Sequence, residues 1–434
     1  MIARINKPLR GWNSFDCYGI FANERVLLEN LEVFQNRLKP HGYEYFVLDA
    51  GWYSRFPIPD GEEFPTTKRS IDNEIDEFGR VVALESLFPR GMKFIADKVH
   101  EAGCKFGIHI MRGIPRKAVE LNTPVKGTNY RARDIANTED ICPWNEVFYG
   151  VNMDHPAAQA YYDSVIEVLV DYEVDFIKAD DLTPFPAEVN AIADAIEKAP
   201  REIALSLSPG NDITPLYLDT YRRANMFRIT GDVWDDTNDF QKIMDRWHLY
   251  EDANTGHCRI DLDMIPFGAL QVYAQEAGSE GDEALLAGRG FKRMSNFTTA
   301  QKRFFISMLA LAASPLMFGG ELTMSDEESF DLVTHPEVLA CNANDVCGKQ
   351  VYFQNYIDIR HTQHARTSNS GWIGIFNRKT VERHMTFTHE DLGLPESISR
   401  VYSVWDEQEM AFDADGLHVF CPGHSVTFLR YGQR

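Results

Sequence analysis

The sequence lacks the features that mark several classes of protein. No window holds about 18 consecutive apolar residues, so no membrane-spanning helix is predicted. The first stretch, MIARINKPLRGWNSF, contains no apolar run, and we therefore expect neither a signal peptide nor an anchor. Basic residues are scarce: 43 against 65 acidic residues give a net charge of −22. This balance argues against a nucleic acid or an anionic membrane as the partner.

Cysteine is also sparse. The chain has seven cysteines, an odd number, and no two lie at the spacing typical of metal ligands. The sequence therefore predicts neither a disulfide framework nor a zinc site, and we expect no cofactor and no bound metal. Without a leader segment or disulfides, the cytoplasm is the expected compartment.

What the chain does contain is the composition of a globular protein. Its 434 residues are 44% hydrophobic and 25% charged, which is enough to build a sizeable core. This length suits two or three domains, or one large α/β barrel with an appendage.

Short apolar strands alternate with helical segments through the first three quarters of the chain. The six clearest strand candidates are Tyr45–Gly51, Lys105–Ile110, Asp175–Asp180, Ile203–Ser208, Met226–Gly231 and Ser314–Gly320. Two weaker candidates lie near Trp12 and Met264, which makes eight. Eight strands alternating with helices predict a (β/α)8 TIM barrel over residues 1–335, with an open doubly wound sheet as the alternative.

The pattern changes after about Pro336. From there on, the segments are short, alternate polar with apolar residues and are separated by turn residues. We therefore predict an antiparallel β-sandwich over residues 336–434, as a C-terminal domain that braces the barrel or, as the alternative, binds sugar.

Polar side chains follow the predicted barrel strands. Barrel enzymes carry their chemistry at the C-terminal ends of the strands. In chain order these positions hold Asp49, His109, Lys178, Asp180, Ser208, Arg228, Asp232, Asp261 and Asp263, with Trp12 near the first strand. Because Lys178 and Asp180 are two residues apart on an apolar strand, both should face the inside of the barrel mouth.

Each of these residues also has a purely structural interpretation. A strand-end aspartate is most often a helix N-cap or a turn residue, which we expect for Asp181 and Asp235. His109 could be a core histidine with satisfied hydrogen bonds, and Trp12 could serve packing alone. Lys178 is harder to explain this way, because it interrupts an apolar strand.

Two chemistries use such a layout. Glycoside hydrolysis needs two carboxylates, a nucleophile and a general acid/base. Alternatively, Asp180, Asp232 and Asp263 would hold the magnesium ion of a metal-dependent lyase or isomerase. Spacing alone does not decide, but the cations Lys178 and Arg228 favour the first reading because positive charge opposes metal binding.

The motifs resemble those of glycoside hydrolase family 27, the α-galactosidases and α-N-acetylgalactosaminidases. In chain order they are GWNS beginning at Gly11, LDAGWY ending at Tyr53, KFGIHI ending at Ile110, IKADDL around Lys178, RITGD ending at Asp232, DLDM ending at Met264 and SPLMFGG ending at Gly320. The resemblance covers nearly the whole chain and includes a C-terminal β-sandwich.

The resemblance implies a retaining exo-hydrolase that removes terminal α-linked galactose or N-acetylgalactosamine from an oligosaccharide or glycoside. Asp180 would be the nucleophile of a covalent glycosyl-enzyme and Asp232 the general acid/base, with carboxyl groups about 5–5.5 Å apart. The implied substrate-binding residues are Trp12, Asp49, His109, Lys178, Ser208, Arg228, Asp263 and Met264. Whether the protein forms a homo-oligomer is left open.

Departures from the family pattern bear on specificity. Ala50 replaces the second aspartate of the family's pair and leaves room for a sugar that lacks C6, such as β-L-arabinopyranose. Ser208 leaves room for an acetamido group at C2, and Leu182 replaces a family cysteine, which agrees with a reducing compartment. The choice among the three sugars stays open, and a catalytically silent sugar-binding protein is a further hypothesis.

Overall fold

Eight parallel strands form the first three quarters of the chain. The computed structural model describes residues 1–56, 72–209, 213–274, 288–367 and 369–432. The strands are β1 Arg10–Asn13, β2 Tyr45–Leu48, β3 Lys105–Met111, β4 Phe176–Asp180, β5 Ala204–Leu207, β6 Met226–Arg228, β7 Arg259–Asp261 and β8 Leu316–Phe318. Their order in the sheet is β7-β6-β5-β4-β3-β2-β1-β8.

The sheet closes between β7 and β8. Ile265 forms a parallel bridge with Phe318; its N–H donates to Met317 O at 2.7 Å, and its carbonyl accepts from Gly319 N at 3.0 Å. The TIM-barrel prediction is confirmed. The seventh strand was predicted too late in the chain, near Met264, whereas β7 ends at Asp261 because Asp263, at φ +84°, interrupts the extended backbone.

Helices cover the outside of the barrel. The longer helices are Glu24–Arg37, Met92–Glu101, Ala158–Asp171, Pro186–Lys198, Asn238–Tyr250 and Thr299–Leu311. Shorter helical segments are Phe15–Tyr18, Lys39–His41, Arg116–Leu121, Ala132–Ile135, Pro215–Tyr217, Leu218–Tyr221, Glu327–Val333 and Pro336–Ala343. Their apolar faces pack on the outward side chains of the strands in one core. No helix in these ranges is both long and apolar enough to cross a bilayer.

Short strands extend the rim above the C-terminal ends of the barrel strands. Ser54–Arg55 pairs with Asp72–Asn73 after β2, and Ala269–Leu270 pairs with Arg293–Met294 after β7. After β3, Ile114–Pro115, Ala136–Ile141 and Phe148–Val151 form a three-stranded antiparallel sheet. These insertions build walls on the edge where barrel enzymes place their chemistry.

The C-terminal part is an antiparallel sandwich, as predicted. Its strands are β9 Lys349–Gln354, β10 Ile357–Gln363, β11 Gly371–Asn377, β12 Arg383–Phe387, β13 Arg400–Ser403, β14 Gln408–Ala411, β15 Leu417–Cys421 and β16 Ser425–Tyr431. A six-stranded sheet has the order β9-β10-β11-β16-β13-β14, and β12 pairs with β15. One apolar cluster joins the two sheets. Residues 336–343 are helical, so the all-β segment begins only at Lys349.

The six-stranded sheet shares its second face with the barrel. Trp372, Phe376 and Phe428 belong to the same apolar core as the barrel helices. The rings of Phe304 and Phe376 meet edge to face with their centroids 4.8 Å apart. The sandwich therefore packs against the barrel as a brace.

Candidate active site

Strand β4 carries a lysine toward the barrel mouth. Lys178 Nζ donates to Asp49 Oδ2 at 2.7 Å, and Asn13 Nδ2 donates to the same oxygen at 2.7 Å. Burial alone lowers the pKa of Lys178, but the carboxylates of Asp49 and Asp180 outweigh burial, and the pKa is raised above its usual value. The lysine therefore stays charged in a largely buried position.

Asp180 ends the same strand beside a histidine. His109 Nε2 lies 3.3 Å from Asp180 Oδ2, and Asp181 N donates to Asp180 Oδ1 at 2.9 Å. Burial raises the pKa of Asp180, but the His109 hydrogen bond and the charges of Lys178 and Arg228 outweigh it, so the pKa is lowered well below its usual range. Asp180 is therefore an ionised carboxylate, the form that a nucleophile needs.

Strand β6 ends in an arginine that joins two acids. Arg228 Nη2 donates to Asp232 Oδ1 at 2.8 Å, and Arg228 Nη1 donates to Asp263 Oδ1 at 3.1 Å. The side chain of Asp232 is 56% exposed, whereas that of Asp263 is 6% exposed. Asp232 is thus the carboxylate in this group that a ligand can reach directly.

Strand β7 and the residues after it add two buried acids. Asp261 Oδ1 accepts from Asp263 N at 2.9 Å. Burial, reinforced by the neighbouring Asp263, raises the pKa of Asp261 to about 7. Burial also raises the pKa of Asp263, although Arg228 opposes this shift. Met264, which follows, is almost completely buried.

The predicted role of Trp12 as a wall under the sugar is wrong. Trp12 is 0% exposed. Its indole stacks on Phe46 with ring centroids 4.5 Å apart, and Nε1 donates to Gly320 O at 2.8 Å. Because side chains alternate along a strand, this tryptophan lies on the side of β1 that faces the apolar core.

His109 also differs from its predicted role. Its side chain is 0% exposed, so it cannot contact a sugar directly. In the described parts of the chain, its imidazole ring forms a hydrogen bond with Asp180 only. His109 therefore acts through Asp180, by orienting the carboxylate.

Sequence reasoning missed the aromatic residue at the mouth. Phe15 lies two residues after the end of β1 and is half-buried. Lys178 Nζ lies 5.4 Å from the centroid of its ring, and the ring of Trp234 is 6.3 Å away. The signal was available: Phe15 stands beyond the C-terminal end of the strand, where functional side chains are expected.

A buried acid, Asp16, was missed as well. Burial, reinforced by Asp263, raises the pKa of Asp16 well above its usual value. Its Oδ2 has no hydrogen-bond partner within the described ranges. A Cβ at residue 319 would stand 2.1 Å from this oxygen, so only the glycine found there fits beside it. Asp16 is thus a buried acid packed behind the mouth.

Ser208 lies at the end of β5, as predicted, but it is buried. Its Oγ makes no hydrogen bond to the residues that the structure describes. A ligand can therefore reach this hydroxyl only if neighbouring side chains move.

An arginine after β3 organises the loops around Asp180. Arg112 donates to Asp140 Oδ2 at 2.8 Å, to Glu188 Oε1 at 2.9 Å and to Asp181 Oδ2 at 3.1 Å. Its backbone N–H donates to Asp180 O at 3.1 Å. Asp181, at φ +56° in the bend after β4, is therefore a structural residue as expected, and it also forms an ion pair with Arg112.

The second residue expected to be structural, Asp235, fits that expectation. Its carboxylate accepts from Arg293 Nε at 2.8 Å and from Asn296 N at 2.8 Å. It therefore connects the segment after β6 to the segment before the helix Thr299–Leu311.

The geometry gives the magnesium alternative no support. Within the described residues, the one group of three ligand-type side chains whose ligand atoms all lie within 4.8 Å of one another is Asp97, His100 and Glu173. It lies on the helix before β3 and in the turn before β4, at the end of the barrel opposite the mouth, and Lys93 pairs with both of its carboxylates.

Several known proteins are similar to this chain in sequence and in structure. No family profile matches the chain. A GH27 β-L-arabinopyranosidase from Geobacillus stearothermophilus, solved with arabinose, is 32% identical with a TM-score of 0.88, over 99% of this chain and 98% of that one. A Bacillus halodurans protein provisionally assigned as an α-N-acetylgalactosaminidase is 30% identical with a TM-score of 0.82, over 99% of this chain and 100% of that one. The α-galactosidase of Lachancea cidri is 24% identical over 79% of this chain, which spans 62% of that protein.

Proposed function

Because the chain belongs to glycoside hydrolase family 27, it is a glycoside hydrolase, and we propose that it removes terminal α-linked galactose or a close relative with retention of configuration. The observation that carries the proposal is that a buried, ionised carboxylate, Asp180, and an accessible one, Asp232, lie in the field of one guanidinium: Arg228 donates to Asp232, and its charge lowers the pKa of Asp180.

In the first step, Asp180 attacks the anomeric carbon. A bond forms between this carbon and a carboxylate oxygen of Asp180, while the bond to the glycosidic oxygen breaks. Asp232 gives its proton to the departing oxygen. His109 and the backbone N–H of Asp181 hold the attacking carboxylate in place.

In the second step, the roles reverse. Asp232, now a carboxylate, takes a proton from water, and the water oxygen attacks the anomeric carbon. The bond to Asp180 breaks and the sugar leaves with its original configuration, because the carbon has been inverted twice. We expect the two carboxyl groups to lie about 5–5.5 Å apart around the sugar.

The remaining mouth residues suit a sugar. Lys178 presents a charged donor to ring hydroxyls, while Asp49, whose side chain is 1% exposed and already accepts from Lys178 and Asn13, holds that lysine in place of the predicted sugar contact. The half-buried ring of Phe15 offers an apolar face in the place predicted for Trp12. Arg228 would reach the C2 substituent, and Ser208 would leave room there for an acetamido group.

Replacement of Asp180 tests the mechanism. Asp180→Ala should lower kcat/KM for a nitrophenyl α-galactoside by several orders of magnitude. Added azide should restore turnover and give a glycosyl azide of inverted configuration, because it enters from the face that Asp180 vacates. Asp175→Asn is the control, since Asp175 precedes the same strand at its far end, where it pairs with His100. A mild effect of Asp180→Ala would refute the nucleophile assignment.

A β-L-arabinopyranosidase is the second candidate. It is favoured by the similarity to the Geobacillus enzyme and by Ala50, a small residue directly after Asp49. The nitrophenyl glycosides of α-galactose, α-N-acetylgalactosamine and β-L-arabinopyranose, assayed together, decide among the sugars. Ala50→Asp should shift the ratio of kcat/KM values toward galactose, because the added carboxylate can bind the C6 hydroxyl that arabinopyranose lacks. Binding of galactose without turnover of any substrate would instead support the silent sugar-binding protein.

We also propose a reducing compartment, the cytoplasm, for the protein. All seven cysteines are free and buried, and none forms a disulfide among the described residues.

A further inference from the structure

We propose that Asp263 is a positioning residue for the general acid: its carboxylate holds both Arg228 and the backbone N–H of Val233, and thereby fixes the turn that carries Asp232. This inference rests on the proposed function, because it assumes that Asp232 gives and takes the proton.

Asp263 forms hydrogen bonds with residues on both sides of Asp232 in the chain. Asp263 Oδ2 accepts from Val233 N at 2.8 Å, directly after Asp232 in the chain. Asp263 Oδ1 accepts from Arg228 Nη1 at 3.1 Å, and the other end of that guanidinium donates to Asp232 Oδ1 at 2.8 Å. One buried carboxylate therefore fixes both the backbone that follows Asp232 and the guanidinium that binds the Asp232 side chain.

Asp263 is itself held rigidly. Its backbone lies at φ +84°, in a region that a residue with a Cβ occupies only when its surroundings require it. Its N–H donates to Asp261 Oδ1 at 2.9 Å, and two residues later Ile265 closes the barrel against β8. Asp263 is thus attached to the barrel wall, and through it the turn that carries Asp232 is as well.

The exposure of Asp263 separates this role from sugar binding. Its side chain is 6% exposed, and both of its oxygens already accept hydrogen bonds from the protein. The predicted contact between Asp263 and the sugar is therefore replaced by an indirect role through Asp232.

Asp263→Asn is the substitution that tests these hydrogen bonds. The aspartate uses each oxygen as an acceptor, whereas an asparagine has one oxygen and one NH2 group. In Asp263→Asn, the NH2 must face either Val233 N–H or the Arg228 guanidinium, both of which are donors. Because Asp263 Oδ1 also accepts from Met264 N at 2.9 Å, at least one of the hydrogen bonds that hold the turn is lost in either orientation, while side-chain volume is retained.

The leaving group reports on the general acid. A poor leaving group, such as methanol in methyl α-galactoside, needs the proton from Asp232, whereas 2,4-dinitrophenolate departs without it. Asp263→Asn should lower kcat/KM for the methyl galactoside about 10- to 100-fold and for the dinitrophenyl galactoside less than about 3-fold. The inhibition constant of free galactose should not change.

Asp232→Asn is the reference and Asp235→Asn the matched control. The reference should show the same leaving-group dependence with a larger loss; if it does not, the proposed function fails and not the inference. Asp235 lies on the same segment but pairs with Arg293 and Asn296. Its replacement should lower the unfolding midpoint without any leaving-group dependence.

If Asp232→Asn shows the expected leaving-group dependence, two outcomes would overturn the inference. One is an equal loss for both substrates in Asp263→Asn, which marks a general structural role. The other is weaker galactose binding, which marks a direct sugar contact. Should the asparagine variant fail to fold, Asp263→Glu decides: it keeps the charge, displaces it by one methylene and should show an intermediate leaving-group dependence.

Discussion

At the residue scale, a lysine and two aspartates can be charged together in a largely buried place only if their charges compensate. Lys178 lies between Asp49, which it contacts, and Asp180, whose charge raises its pKa. Uncompensated, each charge would cost several kcal/mol on burial. The arrangement therefore keeps a nucleophile ionised beside a donor that can bind hydroxyl groups.

Removal of Lys178 should therefore shift the pH dependence. Lys178→Met takes away a cation that lowers the pKa of Asp180, so a larger fraction of the nucleophile is protonated at acidic pH. The acidic limb of the kcat/KM profile should move to higher pH, and the rate at its plateau should fall at least about 10²-fold. Lys198→Met, at an exposed pair with Asp163, is the control. An unchanged acidic limb would contradict the electrostatic role.

Asp261 should make stability depend on pH. Its folded pKa of about 7 exceeds the value of about 3.9 expected in the unfolded chain, so the folded state binds more protons between these values. Stability should fall as pH rises through this window and level off above it. Asp261→Asn keeps the acceptor for Asp263 N and removes the titration. Its free energy of unfolding relative to that of the parent should therefore rise from near zero at pH 4 to on the order of 4 kcal/mol at pH 8.

Urea unfolding at several pH values measures this difference. The matched control is Asp219→Asn, because the Asp219 side chain is fully exposed. A difference between the Asp261 variant and the parent that stays constant with pH would show that Asp261 is ionised throughout.

At the scale of elements, Arg112 connects the rim sheet to the nucleophile strand. It joins Asp140, on the strand Ala136–Ile141, with Asp181 after β4 and Glu188 on the helix Pro186–Lys198. Its guanidinium also stacks 3.4 Å from the centroid of the Phe185 ring. The loops that shape the site are thus held by one buried cation.

Arg112→Met should lower the free energy of unfolding substantially. Three acids lose their shared cation in a buried setting, and breaking such a network typically costs about 3–5 kcal/mol. Urea unfolding measures the loss, and kcat should also fall because the backbone contact from residue 112 to Asp180 loosens. Arg25→Met, at an exposed pair with Glu29, should cost less than about 1 kcal/mol. Equal losses in the two variants would contradict the proposed role of Arg112.

At the scale of the whole molecule, barrel and sandwich share a buried polar network as well as the apolar core. Arg360, on β10, donates to Asp358 Oδ1 at 2.8 Å and to Glu251 Oε2 at 2.8 Å, and its guanidinium lies 4.5 Å from the Trp247 ring centroid. Arg378 reaches Asp358 Oδ2 at 3.1 Å. The helix Asn238–Tyr250 is thus attached to the sandwich.

We expect the two parts to unfold together. Near-ultraviolet circular dichroism and calorimetry should report one coincident transition for the parent protein. Arg360→Met leaves Asp358 with one cationic partner fewer in a buried site and should cost about 3–5 kcal/mol. Arg400→Met, at an exposed pair with Glu409, provides the comparison. Two well-separated transitions in the parent would refute the bracing role of the sandwich.

The sequence alone determined the barrel, the sandwich and the charged residues at the strand ends. Strand periodicity placed Lys178 and Asp180 on one face, and apolar runs located seven of the eight strands, because both signals depend on neighbours in the chain. The seventh strand escaped because a positive φ at Asp263 has no reliable signature in an aspartate.

Only the tertiary structure decided which polar groups meet and which are accessible. Trp12 and Phe15 are three residues apart, yet one is buried behind β1 and the other lies at the mouth. Asp181 accepts a hydrogen bond from Arg112, 69 positions away in the sequence, and Val233 donates one to Asp263, 30 positions away. Such partners are set by how distant elements pack, since burial and hydrogen bonding depend on distances in space that local patterns do not encode.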